Sequence, residues 1–134
     1  MKRILLFTMC LTAIALAVFG EDAADYQKWM KTIGATSGSL RKNLDAKDGD
    51  AASADAKKLQ AVFDEVHMFW HMKNADDAMM FAMNARDAFR DVASQAAAGK
   101  VDDASTTLKK AMTACSGCHA AHREKATDGS WKIK

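Results

Sequence analysis

Apolar side chains recur at alternating spacings of three and four residues in four stretches of the chain, and no other feature constrains the fold as strongly. This spacing places them on one face of an α-helix. The chain also has 27 Ala, seven Gly and no Pro, which favours helices over a turn-rich β-sandwich. We therefore predict four helices, at about 22–44, 50–73, 75–98 and 102–125. Their predicted inward-facing stripes are Tyr26, Met30, Ile33, Ser37, Leu40 and Leu44; Ala52, Ala56, Leu59, Phe63, Val66 and Trp70; Ala78, Ala82, Ala85, Phe89, Val92 and Ala96; and Ala104, Leu108, Ala111 and Cys115.

The segments between these stretches are short and contain residues that start or end helices. Gly49 suits a left-handed conformation, and Asp50 is a candidate N-cap of the second helix. Asn74 and Asp102 are candidate N-caps of the third and fourth helices, and Gly99 ends the third. Short connections make neighbouring helices antiparallel. The predicted fold is therefore all-α, an antiparallel up-down-up-down four-helix bundle.

The first twenty residues have the layout of a secretory signal peptide. Lys2 and Arg3 precede an uncharged run from Ile4 to Val18, and small residues lead to Gly20. The apolar run is short for a membrane span. We predict cleavage after Gly20 or Ala17, with an uncleaved N-terminal anchor as the alternative. This predicts a periplasmic protein with a signal peptide at 1–20, a four-helix domain at 21–126 and a C-terminal tail at 127–134.

The charge balance of the mature chain excludes some partners. Loss of Lys2 and Arg3 reduces the 19 basic residues to 17, which equals the 17 acidic ones. A neutral chain has no basic field of the kind that attracts nucleic acid. We expect no membrane span after cleavage of the signal peptide. The compartment that receives exported proteins oxidises free thiols. The presence of Cys115 and Cys118 in the mature chain therefore needs a chemical explanation.

That explanation is provided by the sequence Cys115-Ser116-Gly117-Cys118-His119, a C-x-x-C-H motif. Residues i, i+3 and i+4 of a helix share a face. In an exported chain this motif is typical of covalent haem c attachment. The two thiols would add to the haem vinyl groups, and His119 would be the proximal iron ligand. We take Gly117 to keep bulk away from the turn between the cysteines.

Other uses of these residues remain open from the motif alone. A redox dithiol usually lies at a helix N-terminus after a strand, whereas this pair lies deep in a predicted helix. A zinc site would need four ligands, which Cys115, Cys118, His122 and one of His67 or His71 could supply. A structural disulfide would close a very small loop and stabilise little.

The motif in the last of four helices makes the chain resemble the class II cytochromes c, the cytochrome c-prime family. The resemblance covers about residues 22–126, and its specific parts are CSGCHAAHR at 115–123 and YQKWMKTIGATSG at 26–38. It implies an exported four-helix bundle with one covalent haem c and His119 as the proximal ligand. It also implies that Arg123 lies near the haem edge. Bundles of this family often pair through helical faces, so a homodimer is compatible with the resemblance.

The resemblance places Met30 at the sixth coordination position of the iron, where low-spin members carry a methionine. From the residues themselves, Met30 lies on the inward stripe of the first helix. A thioether ligand there would raise the reduction potential. The alternative is that Met30 only fills the core. High-spin members have a non-ligating apolar residue there and leave the iron five-coordinate.

These features predict a one-electron carrier that exchanges electrons with redox partner proteins. No catalytic base, nucleophile or substrate pocket is evident in the sequence, so we do not expect an enzyme. The alternative is a five-coordinate haem module that binds nitric oxide or carbon monoxide. We interpret His67 and His71 as partly exposed surface residues, with metal chelation, which their i, i+4 spacing permits, as the alternative. Met79, Met80 and Met83 are interpreted as core filling, with a soft metal site or a contact surface as the alternatives, and Trp131 can fold back over the haem edge.

Overall fold

The computed structural model describes the backbone of residues 18–134 and the side chains of residues 23–134. The predicted signal peptide therefore lies outside the described residues, apart from the backbone of its last three. The described elements are four helices, α1 (Val18–Asp45), α2 (Gly49–Met72), α3 (Asp76–Ala97) and α4 (Val101–His122), followed by two short strands, β1 (Arg123–Lys125) and β2 (Trp131–Ile133). None of the helices within residues 18–134 has both the length and the apolar character of a membrane span.

The four helices pack against one another as the sequence predicts. Each is joined to the next by three residues, and each packs on the helix before it in the chain. Neighbouring helices connected in this way run antiparallel. The contacts are extensive between α2 and α3 and between α3 and α4, whereas α1 packs mainly on α2 and contacts α4 only slightly. The bundle is thus open along the side where α1 and α4 would meet.

The predicted stripes form the core. Every predicted stripe residue is buried except Met30 and Cys115, which are half-buried. Phe89, Leu40 and Leu59 are completely enclosed, and burial of a side chain of this size contributes about 1.5–3 kcal/mol to the free energy of folding. The Phe63 and Phe89 rings stack with their centroids 5.5 Å apart and join α2 to α3.

The turn before α2 uses different residues from those predicted. Lys47 takes the left-handed conformation, with a φ of 59°, and Asp48 rather than Asp50 is the N-cap, its carboxylate accepting from the Ala51 backbone N–H at 3.0 Å. Gly49 is the first residue of α2 and lies where a Cβ would come 2.5 Å from the Ala96 carbonyl oxygen. Close approach to α3, and not backbone handedness, is therefore the reason for this glycine.

The other helix ends are partly as predicted. Gly99 follows Ala98, the C-cap of α3, and has a φ of 73°, which confirms it as the C′ glycine that ends the helix. Asn74 adopts a left-handed φ of 53° after α2, and the N-cap of α3 is Ala75. Asp102 lies in the first turn of α4, where its charge suits the helix dipole, but Lys100 is the N-cap.

The C-terminal segment differs most from the prediction. Helix α4 ends at His122 instead of continuing towards Lys125, and β1 and β2 form an antiparallel hairpin. The Lys134 backbone N–H donates to the His122 carbonyl at 2.9 Å, and Lys134 Nζ donates to the Ala120 carbonyl at 3.0 Å. These bonds satisfy carbonyls that the end of a helix leaves without partners. The hairpin is thereby attached to the end of α4.

Candidate functional site

A cavity of about 840 Å³ lies between α1, α4 and the C-terminal hairpin. This volume is within the range of roughly 300–1,000 Å³ that is usual for small-molecule and cofactor sites. Helices α2 and α3 contribute to its wall as well, so all four helices face it. Its large apolar lining residues are Ile33, Phe63, Val66, Phe81, Trp131 and Ile133. The cavity occupies the space where α1 and α4 fail to close the bundle.

All three chemically distinctive residues of the C-x-x-C-H motif line this cavity. Cys115, Cys118 and His119 project from the C-terminal half of α4, and each is half-buried. Their spacing of three and four residues places them on one face of the helix. The two cysteines are free and do not form a disulfide. The motif therefore contributes two thiols and one imidazole to the wall of the same cavity.

Burial keeps both cysteines in the thiol form at neutral pH. It raises the pKa of Cys115 to about 11, and it raises the pKa of Cys118 to about 11, with a smaller contribution from the neighbouring Cys115. Redox-active dithiols instead have a lowered pKa and a reactive thiolate. The pair thus lacks the electrostatic surroundings of a thiol–disulfide catalyst.

The imidazole of His119 is held in the form that can bind a metal. Burial, and next the positive charge of Arg123, lower the pKa of His119 below its usual value. A histidine with a lowered pKa is neutral at pH 7 and offers a nitrogen lone pair. The structure therefore supplies His119 as a neutral nitrogen donor on the cavity wall.

Among the described residues, two methionines line the cavity, and they belong to different helices. Met30 comes from α1, across the cavity from the motif, and is half-buried. Met112 comes from α4, the same helix as His119, and its Sδ accepts a hydrogen bond from Arg41 Nη2 at 2.8 Å. Of these two, only Met30 belongs to a different helix from His119. Met112 was not predicted to line a site because its position falls beside the predicted stripe of α4.

The charged residues on the cavity wall are all cations. They are Lys31, Arg41, Arg123 and Lys132, and no Asp or Glu lines this cavity among the described residues. The Arg123 guanidinium lies 3.9 Å from the centroid of the Trp131 ring. Arg123 belongs to the hairpin and not to α4, and it lines the cavity. Such a lining suits an apolar occupant that carries acidic groups.

Several details of the wall leave room and hydrogen-bonding capacity for an occupant. Ser37 Oγ is buried, lines the cavity and has no hydrogen-bond partner among the described residues. A Cβ added to Gly34, another lining residue, would meet nothing within 4 Å. Tyr26 lies beside the motif, and burial, with the nearby Cys118, raises its pKa to about 12. These features fit a large, mainly apolar group that offers a polar edge.

The remaining histidines do not assemble with the cysteines into a metal site. His122 Nε2 donates to Asp77 Oδ2 at 2.8 Å, and its ring centroid lies 4.9 Å from that of Trp70. His67 and His71 lie on α2 and do not line the cavity. Within residues 23–134, no three or more His, Cys, Asp or Glu side chains are grouped so as to hold a metal ion. The ligand set of the zinc hypothesis is therefore not brought together.

Comparisons with protein-family models, with curated proteins and with solved structures found no match to this chain. The functional conclusion consequently depends on the geometry and chemistry of the cavity.

Proposed function

We propose that the cavity holds one haem c, attached covalently through Cys115 and Cys118, and that the protein is an exported one-electron carrier of the class II cytochrome c type. The observation that supports this most is the position of the C-x-x-C-H side chains on the wall of an 840 Å³ cavity that Met30 faces from α1. When bound, haem supplies a single ferric–ferrous couple. The proposal includes export to the periplasm through the predicted signal peptide.

The proposal assigns a role to several residues of the cavity wall. Cys115 and Cys118 form the two thioether links, and the neutral imidazole of His119 is the proximal ligand. The cations of the wall, Arg41 and Arg123 among them, complement the two propionate groups of haem. Ser37 Oγ provides a hydrogen-bonding group that lacks a partner among the described residues. The apolar lining excludes water and thereby affects the reduction potential.

Met30 is proposed as the distal ligand. It lies on α1, across the cavity from the helix that carries His119. A thioether ligand favours the ferrous state and raises the potential, which suits an electron carrier. If Met30 does not bind the iron, the sixth position is open, and the protein fits the alternative of a nitric oxide or carbon monoxide binding module.

The attachment can be tested by the intact mass of the full chain produced in a host with a c-type cytochrome maturation system. We expect the mass to show the loss of residues 1–20, or 1–17, and the addition of one haem. The haem should stay attached to the protein after acid extraction. Cys115→Ser and Cys118→Ser should each leave at most one link. Ser116→Ala, an exposed position between them, is the matched control and should keep both. A colourless protein in which both thiols react with iodoacetamide would contradict the proposal.

The visible spectrum separates the two functions. A low-spin ferric spectrum with a sulfur-to-iron charge-transfer band, and a ferrous form that does not bind carbon monoxide, is expected for the electron carrier. A high-spin spectrum with ready carbon monoxide binding would select the gas-binding module. Reversible electron exchange with a partner protein in the same compartment would then be the functional test.

A further inference from the structure

A second group of metal-binding side chains lies outside the cavity, on the neighbouring helices α2 and α3. His67 and His71 are four residues apart on α2, and their ring centroids are 6.4 Å apart. Met79 and Met83 are four residues apart on α3. His71 is exposed, Met83 is 37% exposed, and His67 and Met79 are half-buried, so none of the four is enclosed in the core. The core-filling interpretation of the α3 methionines is wrong for Met80 and Met83.

The register of the two helices aligns these two pairs. Arg86 Nη1 on α3 lies 3.4 Å from Asp64 Oδ1 on α2. His67 and His71 follow Asp64 by three and seven residues, and Met83 and Met79 precede Arg86 by the same numbers. Residues three and seven apart share a helix face, and the helices are antiparallel. This register predicts that His67 lies beside Met83 and His71 beside Met79. The strip between α2 and α3 that these four residues would line is called the groove below.

We propose that this groove binds one Cu(I) ion through the two imidazoles and the two thioethers. Imidazole nitrogen suits copper along with zinc, iron and nickel, whereas thioether sulfur selects the soft ion Cu(I). Among ions taken up from solution, a set of two imidazoles and two thioethers therefore favours Cu(I). The partial exposure of the four side chains gives the ion access from solvent. This site is separate from the cavity and does not depend on the proposed haem.

The test is an anaerobic titration of the full chain with Cu(I) in excess ascorbate, in competition with the chromophoric chelator bicinchoninate. Any thiol that is not haem-linked is first alkylated, so that Cys115 and Cys118 cannot bind the ion, and ascorbate keeps any haem iron reduced. We expect one Cu(I) per chain. X-ray absorption of the complex should show both nitrogen and sulfur neighbours of copper.

Paired variants locate the ion. Loss of a group that merely supports a metal ligand costs about 10–100-fold in affinity. Met79→Leu with Met83→Leu, and separately His67→Gln with His71→Gln, should therefore weaken Cu(I) binding by more than about tenfold. The matched control is Met68→Leu with Met72→Leu, two exposed methionines of α2 that are turned about 100° further around the helix than the histidines. It should leave the affinity unchanged.

The possible results are distinguishable. Stoichiometric binding that both groove variants lose and the control retains, with helix content unchanged by circular dichroism, supports the site. Absence of Cu(I) binding in the presence of the competitor, or unchanged binding in the Met79/Met83 variant, overturns it. An equal loss in the Met68/Met72 control would show that the loss of binding is not specific to the groove and would also overturn it. None of these results depends on whether haem is attached.

Discussion

A Cβ atom at position 117 would lie 2.5 Å from Cε1 of Phe81, so the α4 backbone between the two cysteines rests directly against an aromatic ring of α3. The same ring lines the cavity. Gly117 was expected to relieve crowding within the cysteine turn, but the neighbour that requires a glycine belongs to another helix. The contact sets how closely α4, and with it the cysteines and His119, approaches α3.

We expect Gly117→Ala to destabilise the protein. Alanine improves helix propensity by up to about 1 kcal/mol, but overpacking a filled contact typically costs about 1–3 kcal/mol. The free energy of unfolding in urea should therefore fall, and Phe81→Leu in the same chain should restore much of the loss. Gly38→Ala is the control, because a Cβ there meets nothing within 4 Å, and it should raise stability. Equal effects at positions 117 and 38 would refute the contact.

The pair His122–Asp77 should make the protein sensitive to acid. The hydrogen bond that His122 donates lowers the pKa of the Asp77 carboxyl. A carboxylate with a lowered pKa stabilises the fold above its unfolded pKa and loses that effect as pH falls through the lowered value. Asp77→Asn should therefore have a lower urea midpoint than the parent chain at neutral pH. At acidic pH the urea midpoints of the variant and the parent should become similar. Asp76→Asn is the control, because it removes a charge one residue away and keeps the His122–Asp77 hydrogen bond. The difference in urea midpoint between this variant and the parent should not shrink in this way as the pH falls.

The cavity wall should make the haem-free chain sensitive to alkali. The folded state raises the pKa of both cysteines from 9.0 to about 11 and that of Tyr26 from 10.0 to about 12. Between the unfolded and folded pKa values, the unfolded chain binds fewer protons than the folded chain. The free energy of unfolding therefore falls as pH rises from about 9 to 12, by at most about 1.4 kcal/mol per pH unit for each group. Cys115→Ser with Cys118→Ser should delay the fall to above pH 10. Urea titrations at pH 8, 9.5 and 11 measure the free energy of unfolding. A parent chain whose free energy of unfolding is the same at all three pH values would contradict the prediction.

The assignment of Met30 can be separated from mere cavity filling by comparing two methionines of the same wall. Met30→Leu preserves volume but removes the sulfur, so a haem-loaded protein should lose its sulfur-to-iron band and bind carbon monoxide. Met112→Leu removes the other cavity thioether, on the helix of His119, and should leave the spectrum unchanged. Spectra that respond to Met112 and not to Met30 would reverse the assignment.

The helices and their buried faces were predictable because they depend on spacing within one element. A helix repeats about every 3.6 residues, so the positions of Leu40, Phe63 and Phe89 in their stripes already determine which side of each helix is buried. The same local rule places Cys115, Cys118 and His119 on one face. The caps were less predictable, since Asp48 and Asp50 both qualify by residue type and only the path of the turn decides between them.

Spacing within a helix does not specify how far that helix stands from the others. Three features depend on contacts between residues distant in the chain: the separation of α1 from α4, the approach of Phe81 to Gly117, and the presence of Lys132 and Met112 in the wall of one cavity. The hairpin that ends α4 at His122 depends on pairing between strands too short to show a periodic pattern. The amino-acid sequence by itself thus determined four amphipathic helices and the chemistry of one helix face, while tertiary packing alone decided that this face lines a cavity.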